Sequence, residues 1–172
     1  MENLEKLAKM VQAVSMKYSC SEKLGKKVVQ KMFYFFERSG VQLNLRYGIH
    51  YYGPYSPRLD NYLHILENMD YIEIDVSSKT HMISMGDRKC SEDTLTESET
   101  RKIEFVVNNF FQKTPLQMEA LATMDYVSHY IFSDHASESE IKNKFKEIKG
   151  TKFNELEISE AYKTLRELKF IA

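Results

Sequence analysis

The segment His50–Pro57, with the sequence His-Tyr-Tyr-Gly-Pro-Tyr-Ser-Pro, constrains the fold more than any other part of the chain. Gly53 followed by Pro54 predicts a turn, because glycine reaches backbone angles closed to other residues and proline fixes its own φ. Ser56 is suited to cap a helix, and Pro57 is suited to the first helical position, where its missing N–H needs no partner. A turn and a helix start are therefore expected together here.

The segments around this turn predict a strand, a helix and a hairpin. Residues 45–52 alternate apolar and polar side chains, as in a short strand, and residues 57–69 have helical periodicity. Residues 71–76 and 80–85 alternate around Ser77-Ser78-Lys79, which favours a β-hairpin. This order is found in winged-helix domains, where the helix before the hairpin often contacts DNA. That helix offers Arg58, Asn61 and His64, but its Asp60 and Glu67 would repel phosphates.

A strongly amphipathic helix is predicted over residues 24–39. Its apolar stripe contains Val28, Val29, Met32, Phe33 and Phe36. Gly40 stands where a left-handed C-terminal cap belongs. The polar side is interpreted in two compatible ways, as a solvated face or as a surface for an acidic partner. Its residues are Lys27, Gln30, Lys31, Tyr34 and Arg38.

The rest of the chain predicts further helices. One spans residues 3–18, and residues 86–95 are polar and interpreted as a linker. Thr96, Thr114 and Ser137 each precede a helical pattern and have Glu or Gln three residues later, as in a capping box. A last helix is expected to end at Leu168. We therefore predict a mainly α fold with a small β-hairpin (α+β): a winged-helix-like core at 1–86, a linker at 87–95 and a helical extension at 96–172.

Composition and motifs argue against several classes of function. The net charge of −1 is weak for a nucleic-acid binder. No apolar run approaches the roughly 20 residues of a membrane span, and the N-terminus lacks the pattern of a signal peptide. Cys20 and Cys90 form no disulfide framework or metal-ligand pair by spacing. The histidines show no metal-binding spacing, and no phosphate-loop or nucleophile motif occurs. We expect a cytoplasmic, non-enzymatic protein without metal or cofactor.

Aromatic residues form the most conspicuous remaining group. Phe33 and Phe36 lie on the apolar stripe and are expected in the core. Tyr34, Tyr52 and Tyr55 fall off that stripe or in the turn, so they are expected to be exposed. Tyrosine is enriched at protein interfaces because it brings contact area together with a polar tip.

The segment Gly25–Tyr34, followed by Gly40, Tyr47 and His50–Ser56, resembles the YwgA-like proteins. It is similar, more distantly, to the Panacea domain of SocA-type antitoxins. The shared pattern is a Lys-rich helix containing Gln-Lys with a Tyr near its end, then a Tyr-Gly-Pro turn that leads into a helix. Val29 stands where the family often has Leu. The resemblance covers roughly residues 24–75, and the later helices fit only loosely.

The resemblance implies a small helical protein that neutralises a toxin protein or presents it to a protease. We therefore expect a protein-binding regulator that acts on a protein partner, and a homodimer is one assembly that it could form. A winged-helix DNA-binding transcription regulator is the alternative, and a structural subunit of a larger assembly is a third possibility. The expected partner-binding residues are Lys27, Gln30, Lys31, Tyr34, Arg38, His50, Tyr52, Tyr55 and Arg58.

Overall fold

The computed structural model describes residues 2–18 and 24–172 and divides the chain into two compact units. The first unit contains the chain up to Tyr47 and the segment Ser56–Gln112. The second contains Gly48–Tyr55 and the chain from Lys113 onward. This division differs from the predicted one, because residues 87–95 lie inside the first unit and the Gly-Pro turn belongs with the C-terminal helices. Cys20 lies outside the described residues.

The first unit has the order helix, strand, helix, helix, hairpin, helix. Its elements are α1 (Glu2–Ser15), β1 (Leu24–Gly25), α2 (Lys26–Arg38), α3 (Pro57–Asn68), β4 (Ile72–Asp75), β5 (Met82–Met85), a 3₁₀ turn (Glu92–Thr94) and α4 (Glu97–Phe110). The predicted hairpin is confirmed as β4 and β5, and the sheet has the order β1-β5-β4 with all pairs antiparallel. The predicted mainly helical α+β fold is confirmed.

Two local predictions in this unit are wrong. Leu24 and Gly25 were expected to begin a helix, but they pair with Ile83 and Met82 of β5, so α2 begins at Lys26. Residues 45–47 were expected in a strand, but they belong to no strand. Asn44 and Arg46 both have φ near 55°, which interrupts an extended backbone.

The core of the first unit surrounds α2. Every residue from Val28 to Phe36 is buried, so the helix packs on nearly all sides and not on one stripe. The rings of Phe35 and Phe110 stack with centroids 4.4 Å apart. Gly40 has φ of 89°, which confirms the predicted left-handed cap. Helix α4 packs on α1 and α2, and this explains why the predicted linker does not separate compact units.

The second unit combines a short hairpin with three α-helices. Its elements are β2 (Gly48–His50), β3 (Gly53–Tyr55), α5 (Pro115–Tyr126), a π-helical turn (Val127–Ile131), α6 (Glu138–Lys149) and α7 (Glu155–Glu167). Strand β3 packs on α5, which also packs on α6 and α7. The predicted capping boxes at Thr96, Thr114 and Ser137 are all confirmed, and Asn154 forms another at the start of α7.

Helices α3 and α7 end in the same way, although each belongs to a different unit. The amide of Tyr71 donates to the carbonyl of Leu66 over 3.0 Å, and the amide of Phe170 donates to Leu165 over 2.9 Å. The residue before each aromatic ring has a left-handed backbone, with φ of 60° at Asp70 and 61° at Lys169. The similar sequences 66–72 and 165–171 therefore encode a common helix cap.

Candidate functional site

The most exposed aromatic group of the second unit lies at the turn between β2 and β3. Tyr51 is 76% exposed and Tyr52 is 46% exposed. Their rings meet edge to face with centroids 4.9 Å apart. His50 is also exposed, and its ring lies 5.0 Å from that of Tyr55, which is half-buried. We call His50, Tyr51 and Tyr52 the tyrosine tip.

The tyrosine tip is anchored by the glycine that follows it. Gly53 is buried and has φ of +88°, a conformation that side chains strongly disfavour. A Cβ atom at Gly53 would lie 2.8 Å from Thr123 Oγ1 and 3.5 Å from Glu119 Cγ. The hairpin backbone thus lies directly against α5. The register Gly48 to Tyr55, Ile49 to Pro54 and His50 to Gly53 then leaves Tyr51 and Tyr52 as a two-residue turn.

A buried ionic cluster lies beneath the tip. Glu119 of α5 is 5% exposed and accepts from Lys149 Nζ over 2.7 Å at Oε1. Lys152 Nζ donates to both carboxylate oxygens of Glu119, over 2.8 and 2.9 Å. Lys149 Nζ also donates to the carbonyl oxygen of Tyr51 over 2.7 Å. We call Glu119, Lys149 and Lys152 the Glu119 cluster; it ties the tip backbone to α5 and α6.

The two lysines of this cluster have different surroundings. Burial lowers the pKa of the Lys149 ammonium from its ordinary value of 10.5, while the hydrogen bond and the charge of Glu119 oppose that shift. Lys152 lies nearer the surface, with its ammonium 5.0 Å from the ring centroid of Tyr51 and 5.1 Å from that of Tyr52. Both distances suit a cation–π interaction, so Lys152 links the buried carboxylate to the exposed rings.

Three residues predicted to face a partner are buried instead. Gln30 and Lys31 are 2% and 4% exposed, and Tyr34 is fully buried, so the expectation that Tyr34 is exposed is wrong. Gln30 Nε2 donates to the carbonyl of Ser56, and the Ser56 amide donates back to Gln30 Oε1, each over 3.0 Å. The Tyr47 hydroxyl donates to the Gln30 carbonyl over 3.1 Å. Gln30 therefore holds the start of α3 in place.

The remaining predicted residues divide between the two units. Lys27 and Arg58 are exposed and Arg38 is half-buried, and all three belong to the first unit. Arg58 Nη1 donates to the carbonyl of Asn44 over 2.8 Å, which supports the unusual backbone there. His50, Tyr52 and Tyr55 belong to the second unit, and the structure brings these three together on one hairpin.

Sequence reasoning missed the Glu119 cluster and the exposure of Tyr51. Tyr51 was placed in an alternating strand, whereas the strand ends at His50. One signal for Glu119 was available: it is the only charged residue in the largely apolar stretch 115–124, and buried carboxylates require a cationic partner. Nothing in the spacing points to Lys149 and Lys152 as those partners.

A groove on the first unit is strongly acidic. It has a volume of about 320 Å³ and lies along the end of α3 and the strands β4 and β5. Its carboxylates belong to Glu67, Asp70, Glu73, Asp75 and Asp87. By contrast, Asp60 on the first turn of α3 is neutralised by Lys26, whose Nζ lies 2.8 Å from Oδ1. The two ends of α3 thus present different charge.

Comparison with known proteins does not identify the function of this chain. No family model matches the chain, and no curated protein matches it significantly. Across residues 2–18 and 24–172, no helix has the length and apolar character needed to cross a membrane. The same described residues contain no group of three or more His, Cys, Asp or Glu side chains arranged to hold a metal ion.

Proposed function

We propose that this chain is a non-enzymatic, cytoplasmic protein-binding regulator that contacts its partner through the tyrosine tip. The observation that carries the proposal is the pair of adjacent, exposed tyrosines Tyr51 and Tyr52 on a hairpin anchored from below. Tyrosines are common energetic centres of protein interfaces, because a ring brings large contact area at a small entropic cost.

Pre-organisation supports this proposal. A flexible loop loses conformational entropy when it binds, and that loss weakens binding. Here Gly53 lies against α5, Lys149 holds the carbonyl of Tyr51, and Lys152 lies against both rings. The tip is therefore ordered before a partner arrives, so more of the contact energy remains available for affinity.

The resemblance to YwgA-like proteins and Panacea antitoxins suggests what kind of regulator this is. The segment His50–Ser56, which carries part of the resemblance, contains the tip. We therefore propose an antitoxin-like module that neutralises a partner protein or presents it to a protease, the partner being a cognate toxin. A homodimer is a further proposal, which light scattering of the purified protein tests directly.

The experiment is affinity capture from the native host with the wild type and a Tyr51→Ala/Tyr52→Ala variant. Tyr130→Ala is the matched control, because Tyr130 is a 50% exposed tyrosine of the same unit but belongs to the π-helical turn and not to the hairpin. We expect a protein retained by the wild type and by the control to be lost from the double variant. Equal recovery by all three proteins would show that the tip is not the binding surface.

The alternative is a winged-helix DNA-binding regulator, which the sheet order β1-β5-β4 and the hairpin after α3 favour. The pairing of Asp60 with Lys26 removes one source of phosphate repulsion. The five carboxylates of the acidic groove oppose this function, since they line the other end of α3 and the wing strands. Duplex binding that weakens with salt and is lost in Arg58→Ala would support the alternative, and no binding at low salt would exclude it.

A further inference from the structure

The charges of the Glu119 cluster do not balance. Two ammonium groups, those of Lys149 and Lys152, share the single carboxylate of Glu119. Charges taken out of water are stable when an opposite charge compensates them. One positive charge is therefore left over beside the tyrosine tip.

Three other lysines of α6 each have a glutamate partner of their own among the described residues. Lys146 lies 2.6 Å from Glu155, and Lys144 lies 2.8 Å from Glu147. Lys142 pairs with Glu138. Burial is the main cause of the lowered pKa of Lys149, and the neighbouring charge of Lys152 lowers it further.

Lys152 places this excess charge where a partner can reach it. Its side chain is 27% exposed, whereas that of Lys149 is 3% exposed. Lysine has three N–H donors, and the described contacts of Lys152 direct two of them at Glu119. The ammonium also lies about equally far from the rings of Tyr51 and Tyr52. A single cation thus lies beside two exposed aromatic rings that also contact each other.

We infer that the tyrosine tip recognises an acidic segment of a protein partner, in which an Asp or Glu carboxylate meets Lys152 and an adjacent apolar or aromatic side chain packs on Tyr51. A carboxylate bound there would accept the remaining Lys152 donor and compensate the excess charge in partly desolvated surroundings. This inference rests on the proposed function and adds the chemistry of the partner.

The test uses the full-length chain and a display library of random twelve-residue peptides, so it does not depend on knowing the natural partner. Peptides selected on the wild type are measured against Lys152→Met, which keeps the apolar stem and removes the charge. Lys163→Met is the matched control, because Lys163 is an exposed lysine of α7. Amide exchange of residues 48–55 in the Lys152→Met protein checks that the hairpin is retained.

We expect the selected peptides to be enriched in Asp and Glu next to an aromatic or apolar residue. They should bind Lys152→Met about tenfold more weakly than wild type, as expected for loss of a charge-assisted hydrogen bond, and bind Lys163→Met unchanged. Their affinity should also fall as salt is raised.

Selected peptides without acidic enrichment, or with equal affinity for wild type and Lys152→Met, would overturn the inference. So would a library that yields no peptide dependent on Tyr51 and Tyr52. The two proposals fail separately. If a captured host protein requires Tyr51 and Tyr52 but binds Lys152→Met as well as wild type, the proposed function is supported and the inference of an acidic partner is refuted. If binding of the captured protein is unchanged when both tyrosines are replaced, the proposed function is refuted.

Discussion

Replacement of Gly53 by alanine tests how the tyrosine tip is held. Gly53 has φ of +88°, and its new Cβ atom would lie 2.8 Å from Thr123 Oγ1. A side chain in the left-handed region costs about 1–2 kcal/mol, and forcing an extra carbon into a packed contact costs about 1–3 kcal/mol. We expect Gly53→Ala to lower the free energy of unfolding by about 2–5 kcal/mol.

A second substitution separates the two contributions. Thr123 is fully buried, and its hydroxyl has no hydrogen-bond partner among the described residues, so Thr123→Ala removes the clashing atom without breaking a hydrogen bond. In that background Gly53→Ala should cost only the backbone strain, about 1–2 kcal/mol. The difference between the two costs is the coupling energy of the pair, and a double-mutant cycle measures it.

The assay is urea unfolding followed by circular dichroism, with Gly48→Ala as the matched control. Gly48 lies on the same hairpin, and a Cβ atom there would meet nothing within 4 Å. We expect that control to change the free energy of unfolding by less than about 0.5 kcal/mol. A Gly53→Ala cost as small as that of the control, or an equal cost in both Thr123 backgrounds, would refute the proposed contact between the hairpin and α5.

Three further predictions concern buried or half-buried polar groups. Gln30→Ala should lower the free energy of unfolding by about 2–4 kcal/mol, because it leaves the buried amide and carbonyl of Ser56 without hydrogen-bond partners. A loss below about 1 kcal/mol in urea unfolding would contradict this. The carboxylate of Glu37 accepts hydrogen bonds from the backbone N–H groups of residues 43–45. Glu37→Ala should therefore destabilise the protein more than Glu37→Gln in the same assay, because glutamine keeps one acceptor oxygen. Equal losses of unfolding free energy would count against that role. The folded protein lowers the pKa of Lys149 below 10.5, so between the two pKa values the unfolded chain binds more protons and the contribution of Lys149 to stability rises with pH. The free energy of unfolding of wild type minus that of Lys149→Met should therefore increase as the pH is raised towards 10.5, and a flat or falling difference would be inconsistent with the buried ammonium.

The features that the sequence predicts well are local. Each capping box joins residues three apart, so the side chains of Thr96, Thr114 and Ser137 reach their backbone targets whatever the rest of the chain does. The hairpin of β4 and β5 is also local, since its register follows from the alternation on both sides of one turn.

The features that the sequence does not predict depend on distant partners. Leu24 and Gly25 form a strand only because β5 lies beside them, and helix periodicity otherwise extends through both. The same limit explains the burial of Lys31 and Tyr34, which occupy the polar side of an amphipathic pattern but belong to a helix packed on nearly all sides. For the candidate site, the turn was predictable from Gly53 and Pro54, whereas the pairing of Glu119 with two lysines was not.

The division of the chain at Tyr47 and Ser56 has a consequence for biosynthesis. The hairpin of β2 and β3 is translated in the middle of the first unit, yet the helix that supports it, α5, leaves the ribosome only after the first unit has been completed. During that interval the face of the hairpin that α5 buries, at Gly53 and Pro54, is uncovered, and newly exposed apolar surface favours aggregation in partly folded chains. A nascent chain stalled at Gln112 should therefore be the species that most needs a chaperone, even though every residue of its first unit has already been made.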